Sequence, residues 1–390
     1  MKSGTVIEER GTWKSALAKV KSETGKFVSK PEVFLVFSTV DFDNSSLLRA
    51  LKDAYPDTRI VGCTSGAAVF CDKGVADSSS ACIMGIDFEG EMEFTSGLGE
   101  GLRDSFSEAV SRSLSGFKEM RKKTILTDKK NASVLVLADG MAGRGEDLVR
   151  EVGKSASLAV SVFGGLAGDS MEFKKSYVFY EDGIFQDAVV TSSFFMSDNP
   201  GIGVKHGWEP ISDMLEITEV EGNILKKVDG RKAIEVWKEV VEKHLGRSIS
   251  YEELKKNLPL YEIGIPGPRG MVVRAPLTVN EQGDIVLATS LARRTYVYIV
   301  HSTGDKLLSA ARESVEQALE SRKKVPSLGM FFSCAARYSI LKGQRKEYEI
   351  IKKSLPAGTP FIGFNTYGEI AKRKGEIRGF HNTTLVSVVF

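Results

Sequence analysis

The sequence predicts an α/β protein of two modules, with mixed, partly parallel sheets and three related α-β-α-β-β units. Three observations predict it. Amphipathic helices alternate with short, almost wholly apolar strands along most of the chain. The same order of elements returns three times. In each copy the second strand runs into a glycine-rich loop: "IVGCTSG" ending at Gly66, "VFGGLAGD" ending at Asp169, and "GFNTYGE" from Gly363 to Glu369.

The first copy reads as helix "TWKSALAKVKSE", strand "EVFLVFS", helix "NSSLLRALKDA", strand "TRIVG", the loop "GCTSG" and strand "SACIMGID". In the second, "DSFSEAVSRSLSGFKEM" is the helix, "ASVLVLAD" the strand and "GEDLVREVGKSA" the second helix. "AVSVFGG" then leads into the loop "GGLAGD", and a hairpin follows, "SYVFY" and "IFQDAVV" flanking the turn residues Glu181, Asp182 and Gly183. In the third copy, "DKLLSAARESVEQALESR" places Leu307, Leu308, Ala311, Val315 and Leu319 at helical spacing. Strand "LGMFFSCA", a more exposed helix "QRKEYEIIKKSL", strand "TPFIG", the third loop and strand "TTLVSVVF" complete it. The period, roughly a hundred residues or more, is too long for a short-repeat solenoid and fits duplicated α/β units.

A different segment separates the second and third copies. "GIGVKHGWEPISDMLEITEVEGNIL" reads as two or three strands with turns. "RKAIEVWKEVVEKHL" reads as a helix, and "MVVRAPL" and "DIVLATS" as strands. "EIGIPGPRG", Glu262 to Gly270, concentrates proline and glycine and is expected to be a linker or exposed, mobile loop. The expected modules are 1–225, holding two copies, and 226–390, holding the third copy and the inserted segment. Their boundary falls in the turn near Gly222 to Lys227.

Composition excludes several classes. A hydrophobic fraction of 42% and a charged fraction of 27% are those of a folded globular chain. A net charge of +2 gives no sign of a nucleic-acid or membrane-surface partner. The densest basic run, "RKKTILTDKK", lies between a helix and a strand and reads as a solvated connection. No apolar run approaches the ~18 residues that span a bilayer, and the first residues lack an apolar core and cleavage pattern. Four cysteines, Cys63, Cys71, Cys82 and Cys334, show no CxxC pairing and are too few for a disulfide scaffold. These features together lead to the expectation of a reduced, cytoplasmic, soluble protein.

Glycine at a strand's carboxyl end permits positive φ or close approach to a ligand, and successive N–H groups there form anion-binding nests. Ligands of open α/β sheets lie outside such strand ends. Tight turns alone also require glycine, but three equivalent loops shift the balance towards function. "GCTSG" is not a nucleophile elbow, because Thr64 occupies its centre and no helix follows directly. No phosphate-cradling G-x-x-x-x-G-K-[ST] is present, and "GLGEG" (Gly97 to Gly101) lacks the full dinucleotide pattern. His206, His244, His301 and His381 are scattered without metal-ligand spacing. No cofactor and no metal are expected.

The segment "FFSCAARY" places Cys334 and Arg337 just past a strand end, where the neighbouring loop carries Asn365, Tyr367 and Glu369. Arginine's planar fork recognises carboxylates, an acid accepts from an ammonium group, and a tyrosine ring covers an apolar side chain. That set matches an amino acid or a similar zwitterion. A purely structural alternative is an Arg337–Glu369 ion pair beside a small buried Cys334. A third possibility is a cysteine-dependent hydrolase or transferase using Cys334, with His301 or His381 as base. A fourth is a protein-interaction scaffold whose loops shape a docking surface.

"VGCTSG", "FGGLAGDS", "YVFYEDG", "GVKHGWEPIS", "ITEVEGNIL", "GPRGMVVRAPL", "FFSCAAR" and "FIGFNTYGEI" with "GFHNTTL" occur in that order along almost the whole chain. This ordered set resembles the FIST family, with its N-terminal and C-terminal modules. The resemblance implies a sensory input protein that binds a small ligand, with amino acids the favoured class. It carries over to Gly62, Thr64, Gly66, Gly164, Gly165, Gly168, Asp169, Arg274, Cys334, Arg337, Gly363, Tyr367, Gly368 and Glu369, of which Thr64, Gly165, Asp169 and Arg274 join the loop residues above as candidate ligand contacts. Two departures matter. Many relatives carry an attached output domain, so a stand-alone chain is expected to signal through a separate protein partner. Ala336 also stands where the family tends to have glycine, which would narrow the pocket.

Overall fold

Six consecutive residues of strand β2 (Val33–Ser38, VFLVFS) are buried, and both faces of the strand are apolar. A strand of that kind belongs in the middle of a sheet covered on both sides. The computed structural model, which describes residues 1–28, 30–267, 270–322 and 324–390, places it so. Strands β1 (Lys2–Glu8), β3 (Arg59–Thr64), β4 (Val69–Cys71), β5 (Gly74–Ala76) and β6 (Ala81–Asp87) belong to the same part of the chain. β2 runs parallel to β3, from Val33 opposite Arg59 to Ser38 opposite Thr64. A parallel pair needs a crossover, and helix α2 (Asn44–Ala54) supplies it. On its other edge β2 pairs antiparallel with β6, and β6 with β1. Helix α1 (Trp13–Phe27) links β1 to β2.

The second and third copies repeat this layout. β7 (Glu93–Glu100), α3 (Phe106–Ser113), α4 (Ser115–Thr124), β8 (Asn131–Ala138), α5 (Gly145–Ala156) and β9 (Ser161–Leu166) are followed by β10 (Val178–Tyr180), β11 (Gly183–Phe185) and β12 (Ala188–Met196). In the third copy, β13 (Gly201–Lys205) and the helix Gly304–Glu320 precede the parallel pair Gly329–Cys334 and Phe361–Thr366. Helices Ala335–Leu341 and Arg345–Ser354 form its crossover, and Glu369–Lys372 and Leu385–Val389 follow. Every copy thus begins with an edge strand that the expected α-β-α-β-β pattern lacked. The helix expected over "DSFSEAVSRSLSGFKEM" is divided at Leu114 into two.

The copies are not side by side but interlocked. After each glycine loop the chain leaves its own sheet and pairs with a neighbour's. β10 lies against β3, β4 against Phe361–Thr366, and Glu369–Lys372 against β9. Each of the three six-stranded sheets therefore contains a hairpin strand from another copy, and the exchange closes in a cycle of three. Strand alternation then sorts the side chains. Leu35, Phe37, Leu135, Leu137, Phe163, Met330, Phe332 and Phe364 share one central cluster. Phe34 and Val36, Val134 and Val136, and Phe331 and Phe361 turn outwards into three separate clusters under each copy's helices.

This arrangement comprises one compact unit: residues 1–205, 311–380 and 385–390. A second unit comprises 206–310 and 381–384. Its strands, among them Leu215–Glu221, Ile224–Val228, Tyr261–Ile265, Val272–Arg274 and Tyr296–His301, form a nine-stranded sheet. The helix Ala233–Leu245 packs its Trp237 into that unit's core with Leu225, Ile263 and Ile299. Of the expected linker, Glu262–Ile265 is strand, while Pro268 and Arg269 lie outside the described residues.

Candidate functional site

The strand registers identify equivalent positions at the three loops. Thr64 stands opposite Ser38, Leu166 opposite Ala138 and Thr366 opposite Cys334. Two residues further on come Gly66, Gly168 and Gly368. Each loop donates a backbone hydrogen bond to another: Gly66 N–H to the Asn365 carbonyl (2.6 Å), Gly168 N–H to that of Thr64 (3.0 Å), and Tyr367 N–H to that of Leu166 (3.1 Å). The three bonds close a ring. Glycine is required there by distance, since a Cβ on Gly168 would fall 2.3 Å from the Gly66 Cα. The structure thus brings together the three loops that the sequence placed far apart.

Polar side chains hold the ring. The Thr64 hydroxyl donates to the Gly168 carbonyl (2.7 Å) and accepts from Tyr177 N–H (3.0 Å). Asn365 accepts from Ala68 N–H at Oδ1 (2.8 Å) and donates through Nδ2 to Gln344 Oε1 (2.9 Å). Gln344 in turn donates to Glu347 Oε2 (2.9 Å), which also accepts from the Ser333 hydroxyl (2.5 Å). Arg337 completes the network, donating to Glu347 Oε1 through Nε (2.8 Å) and Nη2 (2.5 Å). Arg337, Glu347 and Asn365 are all fully buried. The acid paired with Arg337 in this network is Glu347, which the sequence reading did not single out. Glu369 sits opposite Gly165 in the exchanged strand pair and accepts from the Thr366 hydroxyl. Cys334 ends its strand, nearly buried, at the cap of helix Ala335–Leu341, so Arg337 is a helical residue rather than a loop residue.

On the outer side of the ring lies Asp169, 2% exposed. Its carboxylate accepts from the N–H groups of Phe173 (2.9 Å), Lys174 (2.7 Å) and Lys175 (2.8 Å), and from the Tyr367 hydroxyl. Burial, followed by the bond to Asp169, pushes the Tyr367 phenol well above its ordinary range. The Phe173 ring is stacked on Tyr367, with centroids 4.6 Å apart and planes 15° apart. Met171 beside it accepts from the Ser339 hydroxyl at its sulfur (3.2 Å).

Arg274 belongs to the second unit, where it ends strand Val272–Arg274, nearly buried, and donates to its own neighbour's carbonyl at Val273 (3.1 Å). His301 and His381 also belong to that unit. His301 packs against Tyr261 and His244, and burial, with His244 adding to it, lowers its pKa. Among the described residues no cluster of three or more His, Cys, Asp or Glu side chains is placed to hold a metal.

Sequence reasoning missed Gln344, Glu347 and Phe173. Glu347 lies in a helix with charged neighbours on either side and looks like any solvated acid. Phe173, in the polar run "DSMEFKKS", was a usable signal, because an aromatic residue there has no periodic core to join.

Residues 32–231 match the FIST N domain and residues 233–372 the FIST C domain. An uncharacterized protein of Methanocaldococcus jannaschii is 20% identical over 370 residues, covering 87% of this chain and 69% of that protein. A crystal structure of cyanuric acid hydrolase from A. caulinodans covers 100% of this chain and 99% of its own at 8% identity and a TM-score of 0.33, too low to carry over fold or activity. The two domain matches together cover most of the sequence, and the chain belongs to the FIST family.

Proposed function

We propose that this protein binds a small polar metabolite, an amino acid or a similar zwitterion, on the outer face of the glycine-loop ring, and signals its presence to a separate cytoplasmic protein. FIST domains are sensory domains of signal transduction, and that role fits a chain whose buried polar groups are organised around strand ends. The observation that carries the reading is the Tyr367–Asp169 pair: an aromatic face backed by a nearly buried carboxylate, set where three strand ends meet. Asp169 and Tyr367 are the proposed direct contacts. Thr64, Gly165, Cys334, Arg337, Asn365 and Glu369 form the proposed supporting layer, which fixes the loops from which those contacts project. Arg274 remains a candidate contact within the second unit. The modules 1–225 and 226–390 are proposed as sequence modules, the first of which also carries β13, the opening strand of the third copy.

A sensor acts by binding one conformation better than another. A ring that ties three copies together is suited to that, because a ligand touching one loop changes the hydrogen bonds of the other two. A thermal-shift panel of amino acids, dicarboxylates and nucleotides tests the reading. A ligand at about one hundred times its Kd adds roughly 2.7 kcal/mol to the stability of the bound state. The expected result is a shift with one zwitterion that Tyr367→Leu removes. No shift with any compound would overturn the reading and favour a protein-docking scaffold.

A further inference from the structure

The segment after Asp169 is held in an unfavourable backbone conformation. Ser170, Met171 and Phe173 have φ of 57°, 65° and 54°, the left-handed region that L-residues other than Asn and Asp seldom occupy. Much of the segment's apolar surface stays in water: Phe173 is 54% exposed and Met171 37% exposed. The segment is held by the Asp169 carboxylate, which accepts three of its N–H groups, and by the face of Tyr367, which carries the Phe173 ring; Ser170 N–H to the Ser65 carbonyl (3.2 Å) and the Ser339 hydroxyl to the Met171 sulfur (3.2 Å) tie its first residues. Strain of this kind persists where the surroundings impose it, and clusters at ligand clamps and switch regions.

We propose that Phe173 is an internal stand-in for the ligand: it occupies the ligand's seat on Tyr367, and the strained segment 170–175 swings out when the ligand arrives. This rests on the reading of the loop ring as the ligand site, and it fixes the ligand's chemistry. When the segment leaves, Asp169 loses three N–H donors and keeps the Tyr367 hydroxyl. The carboxylate, stripped of those bonds beneath an incoming ligand, then requires new donors from that ligand. The cationic side chain of a basic amino acid, a guanidinium or an ε-ammonium, supplies them, and the same cation lies favourably over the electron-rich face of Tyr367. The ligand is therefore a cationic compound, one that replaces backbone N–H groups at Asp169 and an aromatic ring at Tyr367.

The test is calorimetric titration of the full chain with L-arginine, L-lysine and the neutral isostere L-citrulline. Wild type, Phe173→Ala and Tyr367→Leu are compared. Phe173 is exposed, so its truncation leaves the fold intact. Removing a competing occupant raises apparent affinity by the reciprocal of the open fraction, about tenfold for a segment open one-tenth of the time. The expected result is tighter binding of arginine or lysine to Phe173→Ala, none of citrulline, and loss of binding in Tyr367→Leu. In wild type, the cation is also expected to speed hydrogen exchange at the amides of 173–175. Binding to Phe173→Ala that is equal to or weaker than wild type overturns the stand-in, as does unchanged exchange. Citrulline binding as well as arginine overturns the cation. If neither cation binds but another compound gives a thermal shift that Tyr367→Leu removes, this inference fails while the sensor reading stands.

Discussion

The guanidinium of Arg337 and the carboxylate of Glu347 are both fully buried, 2.5 Å apart at their closest atoms. Two charges removed from water need each other, and the bonds from Ser333 and Gln344 satisfy the remaining lone pairs of Glu347. Asn365 hangs from the far end of this network, so the charge pair sets the geometry of the third loop without facing the outer surface. Arg337→Ala is therefore expected to cost about 3–5 kcal/mol in a urea titration, because it leaves Glu347 buried and uncompensated. The double variant Arg337→Met/Glu347→Leu removes both charges, and is expected to recover most of that loss. Equal destabilisation of the single and double variants would show that packing, not charge, holds this corner. A loss of ligand response in Arg337→Ala alone would accordingly say little about direct contact; the face of Tyr367 that carries Phe173 is the cleaner place to probe.

At the scale of elements, the sequence was legible where periodicity was long and apolar. Both strands of each parallel pair, their crossover helices apart from Ala335–Leu341, and the loops that end them were readable, because β2, β8 and Gly329–Cys334 are buried on both faces. The exchanged strands were harder. Val69–Cys71 and Gly74–Ala76 are three residues each, too short to show a period, and their partners lie in another copy. "GLGEG", which lacks the full dinucleotide pattern, carries its glycines for a packing reason. Gly97 and Gly99 are the end of edge strand β7, and their missing side chains let α3 cross directly over the strand. A Cβ on Gly99 would lie 1.8 Å from the Ala109 carbonyl oxygen, and one on Gly203 in the third copy 1.7 Å from that of Ser314. Backbone cannot step aside as a side-chain tip can. Gly99→Ala is expected to destabilise the protein by about 1–3 kcal/mol or more, measured by chemical denaturation. Gly74→Ala is the control: its nearest neighbours would stand 4.0 Å away, so the extra methyl should cost far less.

At the scale of the whole chain, the cyclic exchange has a consequence for folding. No copy completes its own sheet. β4 pairs with the third copy, β10 with the first, and Glu369–Lys372 with the second. The central cluster likewise draws on all three, with Phe37, Phe163 and Phe332 among its members. Removing one copy therefore strips two sheets of partners: one loses its guest strand and the other its host. It also exposes strand edges and apolar surface that invite aggregation. The chain 1–225, which contains two complete copies and reads from sequence as a module, lacks both the strand that receives β4 and the strand that completes β9. It is expected to show no cooperative urea transition when produced alone, and to bind a hydrophobic dye. Produced together with 226–390 as a separate chain, it should regain protected amides at Val69–Cys71 and at Ser161–Leu166, the strands whose partners come from the third copy. A cooperative transition for 1–225 alone, at a midpoint close to that of the full chain, would mean that the exchanged strands add little, and that the copies fold as independent bodies that only afterwards dock.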